Sequence, residues 1–376
     1  MRVVIAGGGT GGHLFPGLAL ADELVKRDPS VEILFIGTDR GIEARVVPRE
    51  GYNIRFVSGA ALVGKSLSGK LKALFSFIKG LRESYRILKE TEPQIVVGTG
   101  GYVSVAPVVA AWLQSIPVLI MEQNTVPGKA NRFLARMANA ICITYQESMA
   151  FFPRDKVHLT GNPVRDRVTK GSPEAARRLF SLKEDLFTVL VFGGSRGASS
   201  INRAMVEALP YLTGIKEEVQ FLHQTGESDY RFVRGAYQDM GFKGTVTPFI
   251  YQMPEAYAVA DLVISRAGAT ALAEICVTGK PSILVPYPYA AEDHQRANAE
   301  KLMQMGAAVM ILDKELNGKR LSEEILRLFN DPQKREEMKR KALGFGRPEA
   351  ARKIADIVGS IASLKQESVR CLKTTG

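Results

Sequence analysis

Short β-branched runs that end in glycine recur along this 376-residue chain, each followed by a stretch with helical spacing. The alternation predicts α/β layers built on parallel sheets. Val3-Val4-Ile5-Ala6 runs into Gly7-Gly8-Gly9-Thr10-Gly11-Gly12, Ile33 to Ile36 ends in Gly37, and Ile95-Val96-Val97 runs into Gly98-Thr99-Gly100-Gly101. After residue 165 the pattern restarts: Thr188 to Phe192 leads into Gly193-Gly194-Ser195-Arg196-Gly197, with further strand-like runs at Val219 to Leu222, Leu262 to Ile264 and Ser282 to Val285. Two similar doubly wound units are therefore expected. The turn signal at Asn162-Pro163 places a boundary there, giving domains 1–163 and 164–345. Ser172-Pro173-Glu174 has the cap, the first-position proline and the first-turn acid of a helix start. The last amphipathic helix, Pro348 to Leu364 with Ile354, Ile357, Val358 and Ile361 on one face, is expected within about 345–365, as a candidate to pack back on the N-terminal domain. Fraying is expected beyond Gln366.

One helix has an ambiguous outer face. Between Lys65 and Lys89 seven Lys or Arg stand against one Glu. Leu71, Leu74, Phe75, Ile78, Leu81 and Tyr85 recur at helical spacing, which predicts that their face is buried. Leu67 and Phe77 fall off that stripe. With Leu62 and Val63 they suggest an exposed apolar patch beside Lys70, Lys72 and Lys79, suited to an anionic membrane surface; a solvated charged face is the alternative.

Composition narrows the class. Hydrophobic residues at 45% and charged residues at 24% fit a soluble globular chain and exclude a disordered, collagenous or coiled-coil one. Fifty Lys+Arg against 39 Asp+Glu give a net charge of +11, which favours an anionic partner: nucleic acid, an anionic membrane or a phosphorylated substrate. Cys142, Cys276 and Cys371 are far apart, with no His at ligand spacing, so neither a disulfide framework nor a structural zinc site is expected. No signal-peptide core precedes the first strand, and the greasiest stretch, 103–121, is broken by Pro107, Gln114, Ser115 and Pro117. The expectation is a cytoplasmic protein with peripheral membrane contact open.

The glycine loops carry the candidate chemistry. Residues 7–12 satisfy the dinucleotide spacing, in which glycines let backbone approach a diphosphate and the next helix offers unpaired N–H groups. Asp39, after the second strand, would suit a ribose in an NAD-type reading. One nucleotide needs one cradle, however, and three strand-terminal cradles over two domains suggest two anionic ligands meeting in an interdomain cleft. Gly59-Ala60-Ala61-Leu62-Val63-Gly64-Lys65-Ser66 fits the Walker A pattern, but no strand ends in a partner acid and Leu62 and Val63 are bulky, so a flexible surface loop is the preferred reading. His13, next to the first loop at a helix N-terminus, is the candidate for proton transfer, with helix capping or phosphate contact as alternatives. His294 lies in the polar run Glu292 to Asn298, a candidate ligand loop; His158 and His223 read as structural. Glu274, one turn into a helix after Ala267-Gly268, suits a ribose diol or simply the helix dipole.

These residues form a series of motifs: GGTGGHLFPGLALA at 8–21, GTGGYVS at 98–104, EQNTVPGKAN at 122–131, GNPVR at 161–165, GGSRGA at 193–198, RAGATALAE at 266–274 and DHQRANA at 293–299. In order and over essentially the whole chain, they resemble the bacterial lipid II synthase family, the UDP-N-acetylglucosamine:undecaprenyl-diphospho-muramoylpentapeptide N-acetylglucosaminyltransferases of peptidoglycan synthesis. The resemblance implies a GT-B fold, two Rossmann-like doubly wound domains facing across a cleft, and an inverting transfer with no metal and no cofactor. It implies a donor site at Thr10, Gly11, Gly12, Asn124, Arg165, Ser195, Ile250, Ala269, Thr270, Ala271, Leu272, Ala273, Glu274 and Gln295. There Glu274 would hold the ribose, Ser195 the diphosphate, Asn124 and Gln295 the sugar, and the Ile250 backbone the uracil edge. The acceptor diphosphate would lie against His13, Gly100, Gly101, Tyr102 and Glu122, with His13 as candidate base. Arg196 departs from the family pattern, which often has Gln there.

The partners expected are thus UDP-N-acetylglucosamine, an undecaprenyl-diphosphate-linked acceptor and an anionic membrane surface at the cytoplasmic face of the bacterial inner membrane, contacted peripherally. Much of the charge excess sits in the Lys65 to Lys89 segment, which favours that surface. Rival readings are another GT-B transferase using a UDP-sugar on a different lipid, an NAD-dependent oxidoreductase, and a basic nucleic-acid-binding protein. Against the last, no helix-turn-helix signature and no aromatic-interleaved basic stripe is present, so no nucleic-acid partner is expected.

Overall fold

The computed structural model describes residues 1–59, 67–194 and 197–374, the side chains of 67–72 and 364–374 excepted. Its contacts divide the chain into two units, Met1–Arg165 with Glu349–Gly376, and Asp166–Pro348.

In the N-terminal unit β1 (Arg2–Ala6), β2 (Glu32–Gly37), β3 (Asn53–Phe56), β4 (Ile95–Gly98), β5 (Val118–Glu122), β6 (Ala140–Ile143) and β7 (Val157–Leu159) form one parallel sheet, in the order β3-β2-β1-β4-β5-β6-β7. Strand order reverses between β1 and β4, the switch point at which open α/β sheets leave a crevice beyond the strand C-termini. Alternate residues of β1 feed two cores. Val3 and Ile5 pack with Leu14, Leu18 and Phe35, while Val4 and Ala6 pack with Leu88, Val96 and Val108. Burial on both faces is why these strands read as nearly unbroken apolar runs.

The helix Ala350–Thr374 belongs to this unit. Ile354, Ala355, Val358 and Ala362 enter the same core as Leu14 and Leu24. Arg27 fastens the helix by donating to Asp356 Oδ1 at 2.7 Å and to the Arg352 carbonyl at 2.8 Å. Its backbone stays helical through Thr374, past the expected fraying point at Gln366.

The C-terminal unit repeats the plan with β8 (Phe187–Phe192), β9 (Val219–Gln224), β10 (Lys243–Thr247), β11 (Leu262–Ser265), β12 (Ser282–Leu284) and β13 (Ala308–Met310). All are parallel in the order β10-β9-β8-β11-β12-β13, so the switch point falls between β8 and β11. Val189, Val191, Phe221 and Ile264 pack with Ile201, Met205, Leu321 and Ile325. The helix Pro173–Phe180 starts as its sequence requires: the Ser172 hydroxyl accepts from Ala175 N at 3.2 Å. Both units are Rossmann-like α/β domains.

The helix Leu67–Thr91 corrects one expectation. Its buried face is Ala73, Gly80, Ser84, Ile87 and Leu88, whereas Leu74 (50% exposed), Phe75 (73%), Ile78 (41%) and Tyr85 of the expected buried stripe face solvent. Small residues allow the close approach: a Cβ on Gly80 would lie 2.0 Å from the Ser58 carbonyl oxygen. Phe77, expected on the exposed patch, is half-buried and lines a small cavity with Val57, Tyr102, Val103 and Ala106. The side chains of Leu67, Lys70 and Lys72 lie outside the described residues, as does the Walker-like stretch beyond Gly59. Among the described residues no helix is long and apolar enough to cross a membrane. Cys142 and Cys276 are buried free thiols, and burial pushes both up to about 12.

Candidate functional site

At the C-terminal edge of the first sheet, the β1 and β4 loops interlock. Gly7 faces the Thr99 side chain so closely that a Cβ there would meet Oγ1 at 1.8 Å, and Gly9 sits against the Tyr102 ring. Gly9 needs its φ of +78°, a left-handed conformation that favours glycine. A buried carboxylate, Glu43, holds the first loop from behind. It accepts from Gly9 N at 2.7 Å, from Thr38 N at 2.9 Å and from Thr38 Oγ1 at 2.8 Å. Glycines at 8, 37 and 41 leave room for it, since a Cβ at any of them would fall within 2.6 Å of a Glu43 side-chain atom. Glu43 thus fills the place where the NAD-type reading put an acid, but it binds backbone, while Asp39 is exposed.

Thr10 precedes the helix Gly11–Arg27 with extended backbone and no side-chain cap hydrogen bond, and the first turn carries no acid to offset the positive end of the helix dipole. His13 lies in that turn. Its Nδ1 is 3.1 Å from the Thr99 carbonyl oxygen and 3.3 Å from Gln123 Oε1. The ring packs on the second loop: a Cβ on Gly100 would lie 2.9 Å from Nδ1, and one on Gly101 3.0 Å from Cδ2. The second loop's glycines therefore serve the imidazole as well as any phosphate.

Glu122, at the end of β5, is buried, and its oxygens are occupied within its own loop. Oε1 accepts from Asn124 N at 2.9 Å and Asn124 Nδ2 at 3.1 Å, and Oε2 from Asn131 Nδ2 at 2.9 Å and Gly128 N at 3.1 Å. It shapes the 122–131 motif and presents Asn124. Arg165 also turns inward, with Nε on Asp22 Oδ2 at 2.7 Å and Nη2 on Glu50 Oε2 at 2.8 Å. Its Nη1 is buried with no hydrogen-bond partner.

In the C-terminal unit the loops again cluster where the strands end. Ser195 and Arg196 lie outside the described residues. The flanking backbone turns through Gly194 (φ +90°) and Gly197 (φ +76°) into the helix Ser199–Ala208. Gln224, at the end of β9, ties this loop to the expected uracil position: its Nε2 donates to the Gly194 carbonyl at 2.8 Å and its Oε1 accepts from Ile250 N at 2.9 Å. After β11 comes the helix Ala269–Thr278 with extended Gly268 before it. Glu274 Oε2 accepts from the Tyr257 hydroxyl at 3.0 Å, and burial, then the Glu274 charge, hold that phenol well above its ordinary value.

Arg266 fixes the same edge. It donates to the Val285 and Pro286 carbonyls at 3.2 Å each, to Asp313 Oδ1 at 2.6 Å and to Ser200 Oγ at 2.7 Å. Gln295 Oε1 accepts from Tyr287 N at 3.0 Å, and Glu292 and Asp293 just before it adopt left-handed backbone, a strain that concentrates at ligand loops. His294 Nδ1 donates to the Ala291 carbonyl at 2.6 Å. His223 is wholly buried between Asn202 and Tyr237, in keeping with a structural role. Reading the glycine spacing missed Glu43, Gln123, Gln224, Tyr257 and Arg266; only Gln123 and Arg266 lie inside a quoted motif.

Two Rossmann-like units with glycine loops at both switch points define a doubly wound α/β class suited to anionic, nucleotide-bearing ligands, and comparison with known proteins specifies the family. Residues 3–143 match the glycosyltransferase family 28 N-terminal domain and residues 188–356 the family 28 C-terminal domain; the chain belongs to this family. A protein of Thermodesulfovibrio yellowstonii named UDP-N-acetylglucosamine--N-acetylmuramyl-(pentapeptide) pyrophosphoryl-undecaprenol N-acetylglucosamine transferase is 50% identical over 366 residues, 97% of this chain and all of its own length. A Myxococcus xanthus protein of the same name is 48% identical, covering 95% of this chain and 92% of its own. The crystal structure of Acinetobacter baumannii MurG matches with a TM-score of 0.73 at 30% identity, over 96% of this chain and 99% of that one. A Neisseria meningitidis UDP-GlcNAc 2-epimerase, at 15% identity and TM-score 0.68 over 96% of this chain and all of its own, shares the fold.

Proposed function

We propose that this chain transfers N-acetylglucosamine from UDP-N-acetylglucosamine to the muramoyl sugar of undecaprenyl-diphospho-muramoylpentapeptide, forming a β-1,4 linkage with inversion. The observation that carries this reading is end-to-end identity of 50% with a relative named for that transfer. The acceptor hydroxyl oxygen attacks the anomeric carbon, the bond from that carbon to the UDP oxygen breaks, and UDP leaves with the bonding pair. His13 takes the hydroxyl proton on Nε2. Negative charge on the departing UDP is met by the N-terminus of the helix Ser199–Ala208 and by Ser195, with Arg165, held by Asp22 and Glu50, adding positive charge on the donor side.

Glu274, oriented by Tyr257, binds the ribose hydroxyls, while Thr10, Gly11, Gly12, Asn124, Gln295 and the turn Ala269 to Ala273 complete the donor site. Uracil at the Ile250 backbone exchanges the bond that Gln224 now makes there. Gly100, Gly101 and Tyr102 border the acceptor diphosphate; Glu122, its oxygens already bonded, supports that site by shaping its own loop. The membrane-facing group on the helix Leu67–Thr91 is Leu74, Phe75 and Ile78 with Lys79, in place of Phe77. Docking through it places the protein peripherally on the cytoplasmic face of the inner membrane.

The test is transfer of labelled N-acetylglucosamine to a short-chain analogue of the muramoyl-pentapeptide lipid, beside a diacylglycerol acceptor, with and without chelator. Product on the muramoyl lipid alone, unaffected by chelator, is expected. Transfer to diacylglycerol alone would assign the chain to a different lipid glycosyltransferase.

A further inference from the structure

The environment of His13 contains a group whose chemistry the reaction has not yet used. Gln123 follows β5 and is 2% exposed. Its Nε2 donates to two backbone carbonyls, Thr99 O at 3.0 Å and Met121 O at 3.2 Å. A flipped amide would set Oε1 against those two carbonyl oxygens, so the orientation is fixed by the backbone. Oε1 is thereby turned to His13 Nδ1 at 3.3 Å, where the Thr99 carbonyl oxygen is the second neighbour at 3.1 Å. Both neighbours can only accept. These two contacts favour the neutral tautomer that carries its proton on Nδ1 and keeps the lone pair on Nε2.

We infer that Gln123 is a positioning residue for the transfer reaction: together with the Thr99 carbonyl it fixes the His13 tautomer and ring plane, so that Nε2 is the base. This inference rests on the transferase reading above. An amide does here what a carboxylate does behind the histidine of a hydrolase triad, but without a negative charge. That distinction suits this edge of the sheet, where a carboxylate facing the ring would repel an anionic acceptor and hold a proton on the imidazole. The ionisable groups on the neighbouring elements are Glu43, Tyr102 and Glu122. Glu43 binds Gly9 and Thr38, Tyr102 lies beside Gly9, and Glu122 binds Asn131, which adjoins Gly100.

The experiment uses the full chain with 15N-labelled histidine and two variants, Gln123→Met, which removes the acceptor, and Gln123→Glu, which keeps an oxygen facing Nδ1. Ring-nitrogen NMR of the wild type should show His13 protonated on Nδ1 when neutral. Gln123→Met should shift part of the population to the Nε2–H form and lower kcat roughly ten- to a hundredfold, the range for a lost orienting partner, with KM for UDP-N-acetylglucosamine within about twofold. Gln123→Glu should restore the Nδ1–H form and raise both the imidazole midpoint and the acid-side midpoint of the kcat profile by about one pH unit. Circular dichroism and the thermal unfolding midpoint of each variant give the folding control, because an ionised carboxylate, unlike the amide, donates to neither the Thr99 nor the Met121 carbonyl.

An Nε2–H tautomer in the wild type, or tautomer and midpoints unchanged in both variants, overturns the inference. So does an imidazole midpoint that moves in Gln123→Glu while the kcat profile stays in place, which would leave the transferase reading intact. If the wild type transfers no sugar to the muramoyl lipid, the functional reading fails instead, and the NMR still reports whether Gln123 holds the ring.

Discussion

The two units share the strand order 3-2-1-4-5-6, to which the N-terminal sheet adds a seventh strand, and place their loops at the same switch point, but the charged side chains that hold those loops differ in sign. In the N-terminal unit carboxylates collect backbone N–H groups, Glu43 from Gly9 and Thr38, Glu122 from Asn124 and Gly128. In the C-terminal unit a guanidinium collects carbonyls, Arg266 from Val285 and Pro286, with Asp313 completing the clamp. Topology decides where a ligand can sit; the charge of the buried anchor decides which backbone groups are left to meet it. Behind the first loop Gly9 N–H is already bonded to Glu43, so under the proposed function the diphosphate would be met by the helix N-terminus and the groups around His13 rather than by that amide.

Breaking the acceptor side should have the largest effect. His13→Ala is expected to lower turnover by about 10²–10⁴-fold, the usual contribution of a general base, while UDP-N-acetylglucosamine binding changes little. Stopped-flow or steady-state transfer assays on the muramoyl lipid analogue measure this. Removing the N-terminal anchor comes next. Glu43→Leu leaves the buried donors of Gly9 and Thr38 unsatisfied and should cost about 3 kcal/mol of that unit's stability, read by denaturant unfolding, with the C-terminal unit unaltered.

The C-terminal unit should answer to pH in its own way. Burial pushes the His223 imidazole down to about 3, from about 6.5 in an unfolded chain. Between those values the unfolded chain binds a proton that the folded one does not. Stability of this unit is therefore complete above about pH 6.5, falls by up to about 1.4 kcal/mol per pH unit on acidification through that window, and levels off below pH 3. His223→Gln should flatten the profile, measured as thermal unfolding across pH. The smallest effect is expected at the ribose: Glu274→Ala should raise KM for UDP-N-acetylglucosamine roughly tenfold, the value of one good hydrogen bond to a charged group, with less change in kcat.

Much of this comparison was legible in the sequence. β1, β2, β4, β8, β9, β11 and β12 announced themselves because strands buried on both faces read as apolar runs, the first four of them ending in glycine. The strands β7, β10 and β13 did not, since they lie at sheet edges where part-exposed positions such as His158 and Lys243 break the apolar run, nor did β6, which offers only Ala140 to Ile143 with no glycine after it. On the helix Leu67–Thr91 the phase was misread for a different reason. Its close-packed face is marked over its first turns by Ala73, Gly80 and Ser84, which a search for large apolar residues passes over, while Leu74, Phe75, Ile78 and Tyr85 face outward.

Within the site, glycine spacing located the loops and the motif series placed the candidate residues on them. The anchors stayed hidden because their partners are backbone atoms far along the chain. Gln123 meets the Thr99 carbonyl across 24 residues and Glu43 meets Gly9 across 34, and neither contact leaves a local signature.

The most direct test of the central claim, that His13 acts on the acceptor while Glu274 holds the donor, is a paired measurement on His13→Ala and Glu274→Ala. Calorimetric binding of UDP-N-acetylglucosamine and turnover on the muramoyl lipid analogue would be read for each. The account predicts that His13→Ala keeps donor affinity within about twofold and loses turnover by at least about a hundredfold, while Glu274→Ala weakens donor binding roughly tenfold. A His13→Ala protein that transfers sugar at the wild-type rate, or that loses donor affinity as Glu274→Ala does, would contradict it.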